Sequence, residues 1–218
     1  MKSPALAVLI CLLLMTSLLH GGEVEKETYL GIGVDKEFSP GADLFLDGQI
    51  KQRGILETDY FRKLEIGGKY DYSRRLSFRG SLKGVDLLGA EGWNRYYVPG
   101  VGASLEWSPS RFEVSFRNIL ELWHAFDDEP SELRVKQRIK ISTPFDLKSI
   151  EIEPYISEEY LAAVNSDDHL IWNRVSGGNT FNLTEIVSVD LFYIWQRKNG
   201  SLEWRNAHVV GTKLRLSF

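Results

Sequence analysis

The chain has 218 residues, a net charge of −4 and one cysteine, Cys11. Its 26 Lys and Arg are dispersed, so nothing points to nucleic acid. With Cys11 in the leader, residues 23–218 carry no disulfide, thiol nucleophile or Cys-based metal site. The leader's apolar run is too short to span a bilayer, and no run of helix-spanning length follows it.

Lys2 forms a short basic head, Ala5 to Met15 carry no charged or strongly polar side chain, and Thr16 to Gly22 lead into Glu23-Val24-Glu25-Lys26-Glu27. This is the layout of a cleaved secretory signal peptide, expected over residues 1–22. Ile10 precedes Cys11 where a lipoprotein signal needs a small residue, so no lipid anchor is expected. Residues 23–218 are read as one exported domain, large enough for a core without disulfides.

From Thr28 the sequence repeats one unit, an alternating stretch of about ten residues followed by a turn signal. Leu30, Ile32 and Val34 alternate with Gly31, Gly33 and Asp35, and Ser39-Pro40-Gly41 turns the chain. Leu44, Leu46, Gly48 and Ile50 alternate with Phe45, Asp47, Gln49 and Lys51. Leu64, Ile66, Gly68 and Tyr70 follow, then Leu76, Phe78, Gly80 and Leu82, each against a polar row. After a Gly-rich stretch at 84–94, segments at 101–107, 112–117, 131–142, 149–161, 170–181, 185–197 and 203–218 complete eleven. No helix or domain boundary is expected after the leader, which makes an all-β domain.

Tight turns at 39–41, 72–74, 108–110, 143–148 and 181–184 alternate with longer connections at 54–59, 84–94, 125–131 and 162–169. That asymmetry, with tilted strands of membrane-spanning length, predicts an antiparallel up-and-down transmembrane β-barrel. A soluble sandwich or lipocalin-like barrel would show the same alternation in any single strand. The ends of the segments decide between them. Tyr70, Tyr72, Trp93, Tyr96, Tyr97, Trp107, Trp123, Trp172, Trp195 and Trp204 lie near strand ends, as interfacial girdles require. Leu214, Leu216 and Phe218 give the final strand an apolar row ending on an aromatic, similar to the signal read by the barrel-assembly machinery. Closure would also satisfy both edges of that strand.

Single-chain bacterial barrels have even strand counts. The segment at 28–37 would also run in the same direction as the last strand, starting the barrel on the outer side. About ten strands are therefore expected, with twelve as the alternative. The expected setting is the bacterial outer membrane, with lipid and lipopolysaccharide around a monomer.

The stretches ELRVKQRIKISTPF, IEPYISEEYLA, NRVSGGNTFNL and GTKLRLSF resemble the DUF2490 family, outer-membrane barrels of unknown function. The resemblance covers most of residues 23–218. It implies a location and a fold, and supplies no catalytic residue.

Arg134, Lys136, Arg138 and Lys140 fall on one strand face, and Glu151, Glu153, Tyr155, Ser157 and Glu159 on one face of the next. Folded about a turn near Phe145, they predict a lumenal ion-pair network. Lys140 is expected opposite Glu151 and Arg138 opposite Glu153, with a two-residue slip as the alternative. Arg or Lys at the lipid midplane costs about 2–4 kcal/mol, so these rows must face inward. Glu65, Lys69, Arg79, Lys83, Glu106, Glu113, Arg117, Asp190, Lys213 and Arg215 are expected to join them. The result is a structural ion-pair core or a narrow pore for small solutes.

Some membrane barrels are lipid hydrolases with a rim serine and histidine. His124, His169 and His208 lie toward the loop end, with Ser166-Asp167-Asp168 before His169 and Asp127-Asp128 after His124. Sequence proximity does not make a triad, and loop Ser and Asp are common turn formers. No catalytic residue, metal site or cofactor is therefore assigned. A rim hydrolase and a soluble periplasmic binding protein remain the alternatives.

Overall fold

The computed structural model describes residues 25–54, 58–126, 130–147, 150–165, 170–199 and 204–218. The leader, its cleavage site, Asp127, Asp128 and Ser166 to His169 lie outside these residues. All described elements are strands: β1 (Glu25–Ser39), β2 (Ala42–Arg53), β3 (Thr58–Asp71), β4 (Leu76–Leu88), β5 (Trp93–Trp107), β6 (Glu113–Ala125), β7 (Glu132–Ser142), β8 (Phe145–Leu147), β9 (Ile150–Ala163), β10 (Leu170–Asn182), β11 (Val187–Asn199) and β12 (Trp204–Ser217). They form one sheet that closes on itself, not two facing sheets.

The barrel has eleven staves, which corrects the expectation of ten or twelve. β7 and β8 are one stave interrupted at Thr143-Pro144: the Thr143 N–H donates to the Pro154 carbonyl at 3.2 Å, and Pro154, which has no N–H, cannot return the bond. Every consecutive pair is antiparallel. An odd number of such staves leaves the first and last pointing the same way, so the barrel can close only through a parallel pairing. β1 and β12 supply it, running in register from Glu25 opposite Ala207 to Asp35 opposite Ser217. Phe218 extends the seam: its N–H donates to the Asp35 carbonyl and its own carbonyl accepts from Glu37 N–H, both at 2.9 Å. The shared direction of the first and last segments was thus a true property of the fold.

Strands run longer than the alternation suggested, 11 to 15 residues for the eleven staves apart from the β8 fragment. The Gly-rich connection shrinks to Gly89–Gly92, because β4 continues to Leu88 and β5 begins at Trp93. The contrast between short and long connections narrows accordingly. In Trp93-Asn94-Arg95-Tyr96-Tyr97 bulky or polar groups occupy both faces, and the period disappears from the sequence while the ladder persists.

Burial is inverted relative to a soluble barrel. Ile32 (50% exposed), Leu64 (59%), Val101 (62%) and Ile156 (56%) point outward, whereas Lys83 and Glu27 (4% each) and Glu121 (1%) are buried inside. The outer aromatics Tyr70, Tyr72, Phe78, Trp107 and Phe218 gather toward the tight turns, and Trp93, Tyr97 and Phe126 toward the opposite end. Three expected girdle aromatics instead belong to the interior. Trp123 meets Tyr96 edge-on and lies under Arg134, and Trp172 lies under Arg174. The apolar exterior is broken on one side, where Asn173 donates to Glu158 at 3.0 Å and the Tyr160 hydroxyl donates to Gln137.

Among the described residues, a cluster of buried apolar side chains forms inside. Phe192, Ile194 and Val209 are buried together, with Tyr29 edge-on to Phe192 at 4.9 Å. Gly211 is required there, since a Cβ at that position would sit 2.3 Å from the Phe192 ring.

Candidate functional site: a charged barrel interior

Inward charges from six staves join into one ribbon. Lys213 on β12 pairs with Asp47 on β2. Lys63 on β3 bridges Asp47 and Glu65, both at 3.0 Å. Glu65 takes Arg79 of β4 at 2.9 Å and lies 3.9 Å from Lys83. Lys83 then crosses β5 to Glu121 of β6 at 2.5 Å, and Lys136 of β7 reaches the same oxygen at 2.7 Å. The other Glu121 oxygen accepts from the Trp123 indole N–H at 3.1 Å. Signs alternate along most of the ribbon, so each carboxylate has at least two donors and its desolvation is offset.

A second knot closes the seam near the loop end. Glu27 on β1 accepts from Lys198 on β11 and from the Tyr60 hydroxyl on β3. Lys51 is buried nearby, its ammonium 5.1 Å from the Phe61 ring centre.

The sequence-predicted rows meet differently from expectation. The hairpin turns beyond Leu147, not near Phe145, because Phe145–Leu147 still pairs with Ile150–Ile152. Lys140 therefore stands opposite Ser157 and Arg138 opposite Glu159, which corrects the Lys140–Glu151 and Arg138–Glu153 pairings and exceeds the two-residue slip. Lys140 still reaches Glu153 diagonally, at 2.6 Å. Arg134 pairs with Glu132 on its own strand, Nε to carboxylate 2.6 Å. Glu151 is exposed at the turn end and accepts from Asn182 at 2.6 Å, apart from the interior network.

Between ribbon and turns lies a belt of different composition. Adjacent inward positions on β6, β7, β9 and β10 are Arg117, Arg138, Glu159 and Arg174. Glu159 is 3.5 Å from Arg117 and 3.7 Å from Arg174. Arg138 forms neither a hydrogen bond nor an ion pair among the described residues, and the Nε atoms of Arg117 and Arg138 are buried without acceptors.

Asp47, Lys63, Glu121, Glu27 and Lys198 were not singled out by sequence reading. Glu121 follows Arg117, Ile119 and precedes Trp123 on the inward parity, but outward Asn118 and inward Ile119 reverse the expected polarity and hide it. Its signal was the parity alone. At the rim, the exposed His124 ring nitrogen Nδ1 lies 2.9 Å from the Ser131 hydroxyl, a residue not considered from sequence. His208 instead bonds the Tyr193 hydroxyl. No group of three or more His, Cys, Asp or Glu among the described residues is arranged to hold a metal.

No curated protein matches the chain. A family profile described as a protein of unknown function matches residues 26–207, spanning ten of the eleven staves and entering the last, and on that match the chain belongs to the DUF2490 family.

Proposed function

We propose that the protein is a monomeric β-barrel of the bacterial outer membrane, a structural element or a narrow pore for small solutes. The carrying observation is the inverted burial: aliphatic rows exposed outside, lysine and glutamate rows buried inside. Water would leave the outer rows without cover, whereas acyl chains and lipopolysaccharide match them. Most of the inner charges satisfy one another through ion pairs. Leu214, Leu216 and Phe218 act as the signal for the barrel-assembly machinery, consistent with their outward row and the pinned end of the seam.

The test combines fractionation with an unheated gel. The protein is expected in the outer-membrane fraction and, unboiled, to migrate differently from its boiled form. Recovery in the soluble periplasmic fraction without detergent would sink the reading. Planar-bilayer recording separates the two variants, since a structural barrel gives no conductance steps.

A second reading, a rim lipid hydrolase, is favoured by the contact between His124 and Ser131, a base within reach of a hydroxyl nucleophile. Lipase activity that survives both His124→Ala and Ser131→Ala would eliminate it.

A further inference from the structure

We propose that the belt of Arg117, Arg138 and Arg174 binds a small oxyanion of the phosphate or carboxylate class from the barrel interior. Three guanidinium groups occupy adjacent positions with one carboxylate, Glu159, among them. That carboxylate serves two of the three at 3.5 and 3.7 Å, long for charge-assisted bonds, and leaves Arg138 unpaired among the described residues. Elsewhere in the interior a cation lacking a carboxylate is the exception, as the ribbon from Lys213 to Lys136 illustrates.

The surroundings add neutral donors. Gln196 is fully buried, its side-chain oxygen takes the Arg174 Nε–H at 2.5 Å, and its amide nitrogen has no acceptor. Two positions toward the turns, the hydroxyls of Ser157 and Ser176 share a 2.9 Å hydrogen bond and can each rotate toward a new acceptor. Side-by-side guanidinium forks suit an anion with several oxygens better than a monatomic ion, because each fork donates two parallel bonds. The surplus positive charge also raises the local concentration of anions.

This inference rests on the barrel reading above but is tested without a membrane. The full chain, refolded in non-ionic detergent, is titrated with inorganic phosphate at constant ionic strength, with chloride as the reference. The readout is the temperature at which the folded gel band converts to the unfolded one. Phosphate is expected to raise that temperature saturably. Arg138→Gln weakens the apparent affinity about tenfold or more, the loss of a charged hydrogen-bonding partner. Glu159→Gln acts in the opposite direction and tightens it, since the competing carboxylate is gone; mere damage to folding would not do that. Arg134→Gln, whose partner is Glu132, leaves the affinity unchanged. Should Arg138→Gln not refold, Arg138→Lys keeps the charge and removes the fork, and is expected to weaken binding as well. Phosphate acting no differently from chloride on a heat-modifiable barrel would overturn the site and leave the barrel reading intact. Equal weakening by Arg134→Gln and Arg138→Gln would overturn it too. A chain that is soluble and shows no heat-modifiable form would instead sink the barrel reading.

Discussion

The ribbon through Glu121 and the belt through Arg138 share one interior, a few residues apart on the same staves, yet they satisfy charge in opposite ways. Glu121 is 1% exposed and holds Lys83, Lys136 and the Trp123 indole. Arg138 sits beside Arg117, and the carboxylate among them, Glu159, pairs with Arg117 and Arg174 but not with Arg138. In the ribbon each buried carboxylate is the junction of several staves, so its loss strands cations on both sides. In the belt the cations are already short of partners. A charged interior is thus not uniformly paired: saturated pairs hold staves together, and the unsaturated cluster is where we propose that an anion binds.

Substitutions can break that contrast. The largest effect is expected for Glu121→Leu, which leaves Lys83 and Lys136 buried without their common partner and lowers unfolding stability by about 3–5 kcal/mol. Denaturant unfolding of the refolded barrel measures it, and a loss below about 1 kcal/mol would show that Glu121 is no junction. Lys83→Met leaves Glu121 with Lys136 and Trp123, and should cost less, about 1–3 kcal/mol by the same assay. Glu159→Gln keeps its shape, and its contacts with Arg117 and Arg174 are long, 3.5 and 3.7 Å, so about 1 kcal/mol is expected. Arg138→Met removes no partnered group; its stability should stay within about 0.5 kcal/mol of the parent or rise. If Arg138→Met proved as damaging as Glu121→Leu, the two regions would not differ in kind.

Much of the barrel was legible in the period alone. Leu44, Leu46 and Ile50 do point outward and Asp47 and Lys51 inward, because side-chain direction in a strand depends only on parity. Register was less legible. Pro144 looks like a turn residue and marks instead a gap in a continuing stave, which moved the partner of Lys140 from Glu151 to Ser157. The strand count differs for another reason: the eleven alternating segments correspond to eleven staves, and the parallel seam lets an odd number close where antiparallel pairing alone requires an even one. The interior site was half visible. Arg138 and Glu159 were read from their row, but contacts such as Lys83 to Glu121 skip a stave and depend on curvature, which no pairwise pattern records.

The parallel seam makes the two ends of the described chain inequivalent. Glu25 lies at the loop end of β1 and Phe218 at the tight-turn end of β12, on opposite rims. In a barrel with an even number of staves both would share a rim. In the proposed outer-membrane setting, an epitope inserted just before Glu25 and another appended after Phe218 would be addressable from opposite compartments of an intact cell, and a single molecule would report its own orientation.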